Sequence, residues 1–522
     1  MLLGGLLTAK KRPKMATVEA GLLFLFVLLA GCLRCDRLAL PLLSTDEAFS
    51  WRLTTYSVAD LLHHMPGDVH PPLYYLLLKG WITLFGDSPF VLRSLSVLFS
   101  LASIVVLYAL CREAAARFLS VPNSPLTSIS GALFAALLLA LHIASVDEPS
   151  RNTRMYSQGI FLAGLTAWLL LRALRCPRGG LGWWLGYGLA VAAFCYTHYY
   201  AFFTVAAQSL FVAGDLAVRA LKNSTASVRS SLTGFLLAGA FAFLLYVPWL
   251  PVWWKQTHDV LLHFWIPPIR WEYVRDVFFR WSSSLPSYHP MDFRLWVFFL
   301  LACIVWMVGK GDRGGLFLLI QASIPWGLSL ALSAWSDRPI FQERYLYFAQ
   351  FSLFAFWGIV WDRLASWLPR LGLACLLCTM SVFGLMRARE QWPSRPPALA
   401  EAAASLCKHY QEGDVVLTGD PKALNRLRYY ASQAGMLTIK VRCVLSPFQP
   451  PGHAYNHLGS LQADDVLWNG LSLDSYGGRR VWTLVGSHGG TSLLDDPWRE
   501  VSRWSFGGGS EGHCQLILYE RS

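Results

Sequence analysis

Apolar runs long enough to cross a lipid bilayer recur along this chain, and they constrain its fold more than any other feature. A helix rises about 1.5 Å per residue, so about 20 apolar residues span the roughly 30 Å hydrocarbon layer. The first run goes from Ala20 to about Leu33. The others lie at 91–110, 129–146, 155–173, 182–197, 199–218, 232–252, 293–309, 315–334, 343–361 and 370–387. Pro71 to Phe85 is also apolar, but it is short, opens on two prolines and contains Lys79; it is read as an interfacial or re-entrant segment. Hydrophobic residues make up 54% of the chain and charged ones 15%, against about 25% charged in a soluble domain. Disorder, a collagen-like chain, a secreted disulfide scaffold and an ordinary soluble enzyme are excluded. The expected fold is an all-α polytopic membrane domain over residues 1–387, with about 11 transmembrane helices.

Charge sets the expected orientation. Lys10, Lys11, Arg12 and Lys14 precede the first run, and basic residues gather on the cytoplasmic side of membrane proteins. The N-terminus is therefore expected in the cytoplasm and the loop 34–90 outside. The inner loops become 111–128, 174–181, 219–231, 310–314 and 362–369, all short and basic. The same rule accounts for the net charge of +12, from 44 Lys+Arg against 32 Asp+Glu, without a nucleic-acid partner. Leu29-Ala30-Gly31-Cys32 looks like a lipoprotein cleavage box, but it is read as the end of an uncleaved first helix. The 11 cysteines, several of them in apolar runs (Cys111, Cys195, Cys303, Cys375, Cys378), are read as small core residues without redox chemistry.

Residues 388–522 change character. Val415 to Leu417 reads as a strand after a turn, Lys422 to Ser432 as a helix, and Thr438 to Val444 as a strand. Arg480 to Val485 and Gln515 to Tyr519 read as further strands. A small C-terminal α/β extracytoplasmic domain is expected over 388–522. Gly507-Gly508-Gly509 does not lead a strand into a helix and is read as a plain loop.

Polar residues of one kind recur at the outer ends of the spans. Asp46-Glu47 follows the first span. Acids are favoured at a helix N-terminus. A carboxylate in a partly desolvated cleft can also take a proton from a hydroxyl. Local sequence leaves both roles open. His63, His64, Asp68 and His70 match no standard metal spacing and read as polar interfacial residues. Glu148 to Tyr156 tops the fourth span with Arg151, Arg154 and Tyr156, and two arginines are unusual on an outer face. Thr197-His198-Tyr199-Tyr200 and Gln342-Glu343-Arg344-Tyr345 lie at two further outer edges.

One carboxylate with several arginines and histidines at an outer membrane face suits sugar transfer from a polyprenyl phosphate. The lipid stays in the bilayer while its sugar projects outward. An acceptor hydroxyl attacks the anomeric carbon and a carboxylate takes its proton. The phosphate leaves without help from an acid, and arginine forks suit it. The paired carboxylates of a glycosidase are not required.

Asp46-Glu47, His70-Pro71-Pro72-Leu73-Tyr74-Tyr75, Phe85-Gly86 and Arg93, in that order, resemble the dolichyl-phosphate-mannose–protein mannosyltransferase superfamily. Its bacterial members, including relatives of the lipid A aminoarabinose transferase, look most similar. Ser150-Arg151-Asn152-Thr153-Arg154-Met155-Tyr156 resembles that family's S-x-x-x-R-x-Y segment, and Thr197-His198-Tyr199 and Arg344-Tyr345-Leu346 are similar too. The likeness covers roughly residues 20–390 and extends weakly to Gly413-Asp414-Val415-Val416. It implies a GT-C membrane glycosyltransferase that inverts the sugar of a polyprenyl-phosphate donor, in the inner membrane of a cell envelope. It implies Asp46 as the base, interfacial helices in the first loop, and Arg154 and Arg344 as phosphate ligands. Asp46 and Glu47 are thus the catalytic candidates. His70, Arg151, Arg154, Tyr156, His198, Tyr199 and Arg344 are the substrate-binding ones. Asn152 stands where many relatives carry Glu, so a second acid would have to be Asp147 or Glu148. The implied partners are the lipid-linked sugar and a lipid, protein or glycan acceptor, with membrane lipid around them. No organic cofactor is expected, and a divalent cation held by Asp46 and Glu47 is the alternative to arginines alone. The rival functions are a lipid or sugar transporter or flippase, and a catalytically inactive scaffold.

Overall fold

Each apolar run becomes a helix in the computed structural model. It describes residues 13–118, 130–176, 180–222, 225–262, 266, 268–286, 289–335, 339–418, 421–436, 441–445, 466–468, 480–486, 498–507 and 513–521. The basic run 10–12 and Gly508-Gly509 lie outside these residues, as does part of the expected strand from Thr438. Helix α1 covers Pro13–Cys35 and runs straight through Cys32. The loop after it holds α2 (Thr45–Thr54), α3 (Val58–His64) and α4 (Leu73–Phe85). Then come α5 (Pro89–Phe118), α6 (Gly131–Leu141), α7 (Ile143–Val146), α8 (Glu148–Arg151), α9 (Tyr156–Arg175), α10 (Leu181–Cys195), α11 (Ala201–Leu221) and α12 (Thr225–Tyr246). Next are α13 (Leu250–Leu262), α14 (Trp271–Ser283), α15 (Pro290–Gly309), α16 (Arg313–Trp335), α17 (Tyr347–Arg363) and α18 (Trp367–Glu390).

Among the described residues, eight helices are long and apolar enough to cross a bilayer, and the bent unit α6–α8 would make a ninth. The expected spans at α10 and α17 are helices of 15 and 17 residues. The 13-residue α4 reaches only about 20 Å, too short to cross. The chain is a multi-pass membrane protein. Its centre is α17, buried at every position from Tyr347 to Trp361. A helix apolar on all sides belongs in such a place. Gly131 of α6 and Gly358 of α17 meet so closely that a Cβ on either would strike the other's backbone. Small residues of this kind let helices approach where lipid supplies no hydrophobic drive.

The run 129–146, expected as one straight span, breaks at His142, where the chain turns by 70°. A broken helix strands carbonyls, and lipid cannot satisfy them. Arg34, wholly buried at the end of α1, supplies the donors. Its Nη1 donates to Ala140 O at 3.1 Å and its Nη2 to Leu139 O at 3.1 Å. Ser145 Oγ (2.9 Å), Ser100 Oγ (2.8 Å) and Ala30 O (3.3 Å) take the remaining N–H groups. The break lets α7 and α8 turn across the end of the bundle that carries α2 and deliver the residues that follow.

At the opposite end, ion pairs join the helices: Glu113 with Arg172 and Arg175, Asp215 with Arg313, and Asp312 with Arg363. Of the cysteines named above, Cys111 and Cys195 are core residues. Cys375 is exposed on the helix surface and Cys303 and Cys378 are partly so, which corrects their placement in the core.

Beyond α18 come α19 (Ala398–His409), β1 (Val415–Thr418), α20 (Pro421–Gln433), β2 (Val441–Leu445), β3 (Val466–Trp468), β4 (Arg480–Gly486), β5 (Trp498–Gly507) and β6 (His513–Arg521). They form one sheet of order β3-β2-β1-β4-β6-β5. β1 is parallel to β2 and β4, and β6 runs antiparallel between β4 and β5. Helix α20 makes the crossover that a parallel β1–β2 pair needs. It also packs on α2, so the sheet unit sits at the end of the bundle that carries Asp46.

Arg34→Leu removes the donors that serve Leu139, Ala140 and Ser145 at the helix break. Unfolding in detergent should show a loss of about 3–5 kcal/mol, since each stranded buried group costs about 1–3. Arg112→Leu, which breaks a half-exposed pair with Glu19, should cost under about 1 kcal/mol.

Candidate functional site

Helix α2 starts on a turn closed by its own residues. The Oγ of Ser44 accepts from Glu47 N–H (3.2 Å), and Ser44 N–H donates to Glu47 Oε2 (2.9 Å). This reciprocal box satisfies two amides at the helix start. Asp46 and Glu47 sit in the first turn, where the helix dipole favours negative charge. At 3.6 residues per turn, neighbouring positions point about 100° apart. The two carboxylates therefore meet different surroundings.

Glu47 is buried and fully engaged. Arg93 grips it with two bonds, Nε to Oε1 at 2.7 Å and Nη2 to Oε2 at 2.9 Å. Thr153, delivered by the broken helix, donates its N–H (3.0 Å) and hydroxyl (3.1 Å) to Oε1. Arg93 also donates to the carbonyls of Leu38 (2.8 Å) and Pro41 (3.1 Å), which fixes the loop leading into α2. Burial alone would raise the Glu47 carboxyl. The charge and hydrogen bonds of Arg93, with the Ser44 and Thr153 amides, hold it below its ordinary value. With both oxygens bonded, Glu47 holds α2 in place and presents no edge for a cation shared with Asp46. Among the described residues, no group of three or more His, Cys, Asp or Glu is spaced to hold a metal.

Asp46 faces the other way. Its side chain is 27% exposed, and its Oδ2 accepts from Arg344 Nη1 at 3.0 Å. Arg344 lies over the rings of Tyr156 and Tyr345, at 5.9 and 5.7 Å. Behind it sits buried Arg154. Its Nη1 donates to Tyr75 OH (2.9 Å), which donates onward to Asp68 Oδ2 (2.9 Å). Its Nη2 lies 3.2 Å from His70 Nδ1. An arginine can only donate, so His70 Nδ1 accepts and the proton of the neutral ring sits on Nε2. Asp68 Oδ1, at 3.6 Å from the same nitrogen, is too far to compete. His198 Nδ1 accepts from Tyr200 N–H at 3.1 Å, which again leaves Nε2 as the donor. Burial and then Arg154 lower the His70 value, and burial, His70 and the two arginines lower that of His198. Both rings are thus neutral at pH 7. His70, His198, Tyr156 and Tyr345 form one ring cluster, with His70–His198 centroids at 5.4 Å and His198–Tyr345 at 4.8 Å. Within it, Arg154 Nε, His198 Nε2 and Tyr156 OH are buried without a protein partner among the described residues. The guanidiniums of Arg154 and Arg344, with His198 Nε2–H and Tyr156 OH as two further donors, are a set whose chemistry suits an oxyanion.

Not every candidate joins this cluster. Arg151 donates to the carbonyls of Arg34 (3.0 Å) and Asp36 (2.6 Å) and stacks over Trp392 at 3.6 Å, so it ties α8 to the end of α1. Tyr199 turns its hydroxyl to Gln256 and Trp249, away from His198. His64 packs against Tyr56 and His63 meets His64 edge to face, apart from His70. Of the two acids that could replace Asn152, Asp147 accepts from Trp392 Nε1 (3.1 Å), whereas Glu148 accepts from Tyr347 OH (2.8 Å) within electrostatic reach of Asp46 and Arg344. Lys79 donates to the carbonyls of Thr54 (3.0 Å) and Tyr56 (2.6 Å) and so closes the far end of α2. The holding role of Arg93 had a signal in the sequence: a charge inside an apolar run needs a buried partner.

Residues 69–254 match the family described as dolichyl-phosphate-mannose-protein mannosyltransferase. No curated protein matches the chain as a sequence. Two crystal structures of ArnT from Cupriavidus metallidurans are similar over nearly the whole chain. The one bound to undecaprenyl phosphate is 13% identical, covers 95% of this chain and 98% of its own, and superimposes with a TM-score of 0.60. The apo form is 12% identical, with coverages of 95% and 98% and a TM-score of 0.60. At such identity the likeness establishes the fold. The chain has the GT-C architecture that the sequence resemblance implied.

The two acids should part company in stability. Arg93→Ala leaves Glu47 charged and buried, and should cost about 3–5 kcal/mol in thermal unfolding. Asp46→Asn, at a partly exposed pair, should cost about 1 kcal/mol or less.

Proposed function

We propose that this protein is an integral-membrane glycosyltransferase that moves a sugar from a polyprenyl-phosphate donor to an acceptor hydroxyl, with inversion. The observation that carries the proposal is the pairing of one half-open carboxylate, Asp46, with a buried set of donors suited to a phosphate. Arg154 and Arg344, with His198 Nε2–H and Tyr156 OH, hold the phosphate of the donor. The acceptor oxygen attacks the anomeric carbon on the face opposite the phosphate, and its proton passes to Asp46. The bond from that carbon to the phosphate oxygen breaks, and the polyprenyl phosphate leaves with the electron pair. Glu148 and His70 border the sugar. The sugar and the acceptor class, whether lipid, protein or glycan, follow from contacts beyond this set.

The charge pattern supports an orientation in the inner membrane with the N-terminus in the cytoplasm and the sheet unit outside, on the side of Asp46. Polar side chains within the bundle support transfer over transport. Tyr187, Gln208, Thr166 and Gln321 bond one another and carry no charge. Transporters place ionisable groups at such depths.

Purified protein given radiolabelled polyprenyl-phosphate sugars and membrane extract should release label to an acceptor. Asp46→Asn should lower the rate by about 10²–10⁴-fold, the usual contribution of a general base, while donor binding persists. Undiminished transfer by that variant would remove Asp46 from the mechanism. Passage of a sugar lipid across sealed vesicles without a covalent product would make the protein a transporter. Because the arginines supply the positive charge and Glu47 is already engaged, transfer should continue in excess EDTA. Loss of activity restored by a divalent cation would place a metal in the reaction.

A further inference from the structure

We infer that the C-terminal α/β unit is a positioning part of the transfer site, acting on helix α2 through Tyr430 and the Asp87 node; this rests on the function proposed above. The first observation is at the entry to α2. Leu43 is wholly buried, and its N–H donates to the hydroxyl of Tyr430 on α20 at 3.0 Å. Removing that oxygen would strand a buried amide three residues before Asp46. Tyr429 and Tyr430 also lie within electrostatic reach of Glu47 and Arg93, so α20 covers the ion pair that fixes α2.

A second brace meets the same helix further along. Asp87, between α4 and α5, accepts from Trp51 Nε1 of α2 (2.9 Å) on Oδ2 and from Gln433 Nε2 of α20 (2.9 Å) on Oδ1. The backbone carbonyl of Asp87 accepts from Tyr429 OH at 3.0 Å. The Trp51 and Tyr429 rings meet edge to face, with centroids 5.2 Å apart. One acidic residue thus ties the acid-bearing helix to the C-terminal unit.

A helix of 10 residues does not hold its shape alone in water. The position of the Asp46 carboxylate is therefore set by what surrounds the first turn. Arg93 holds that turn from the bundle, Thr153 from the broken helix, and Tyr430 from the sheet unit. Loss of the third support lets the turn shift while the other two keep the chain folded. Chemistry that depends on a base within bonding distance of a hydroxyl suffers from such a shift more than donor binding does.

The test uses the full chain with Tyr430→Phe, which keeps the ring and removes only the hydroxyl. The expected result is a fall in kcat of about tenfold with donor KM within about twofold of wild type. Amide hydrogen exchange over residues 43–47 should quicken, and the thermal midpoint should fall by no more than one stranded amide explains. Asp87→Asn, which weakens the second brace, should show the same split and carries the test if Tyr430→Phe does not fold. Lys408→Ala, on the exposed side of the same unit, should match wild type. Wild-type kcat and exchange in both brace variants would overturn the inference. So would a joint loss in kcat, KM and thermal midpoint, which would reduce Tyr430 to a stabilising contact. If wild-type protein transfers no sugar from any donor, the proposed function fails instead, and the exchange at 43–47 still reports on the brace.

Discussion

The end of the bundle that carries Asp46 depends on the buried pair of Glu47 and Arg93. A buried ion pair contributes little net stability compared with an apolar replacement, but losing one partner is costly. Its use here is register. Arg93 rises from a membrane helix, Glu47 from a short helix in a loop, and Thr153 from the far side of a broken span. The carboxylate accepts from the other two, and the guanidinium then gathers the carbonyls of the incoming loop. Once Glu47 is fixed, the neighbouring position on the helix is fixed too. Asp46 is thereby aimed at Arg344 without being buried itself.

The arginines around this end of the bundle divide by what they touch. Arg34 and Arg151 spend most of their hydrogen bonds on backbone carbonyls, at places where helices end or break. Arg93 shares its bonds between carbonyls and one carboxylate. Arg154 and Arg344 instead meet side chains: a tyrosine, a histidine and a carboxylate. Carbonyl-bound arginines are committed for as long as the fold lasts. In the function proposed above, the side-chain-bound ones exchange one partner for the phosphate of the donor. The neutral histidines beside them have their Nδ1 atoms occupied, so each offers a donor on the other nitrogen.

Much of this was legible in the sequence. All the apolar runs are helices, because their signal is local and long. The strands at β1, β2, β4 and β6 were marked by compact apolar stretches. β5 was not: most of Trp498–Gly507 is solvent-facing on the sheet edge, so its composition is polar. The break at His142 was hidden because no proline or glycine marks it, and Arg34, whose donors satisfy the freed carbonyls, is distant in the chain. Asp46, His70, Arg154, Tyr156, His198 and Arg344 do come together, as their shared position at span ends suggested. Arg151 and Tyr199 share that position yet face elsewhere, since span ends give the level of a residue and not the direction of its side chain. The hold of Tyr430 on Leu43 joins residues 387 apart, and no local pattern announces it.

Arg34 has a consequence for how the protein is made. It lies 105 and 106 residues ahead of the two carbonyls it serves. At a synthesis rate of about 5–20 residues per second, those carbonyls emerge some 5–20 seconds later. During that interval the first helix carries a cation that has no place in hydrocarbon. Its end must stay at the headgroups or in the translocon until the third apolar segment arrives. The final depth of the first helix is thus decided by a segment not yet translated when that helix first meets the membrane.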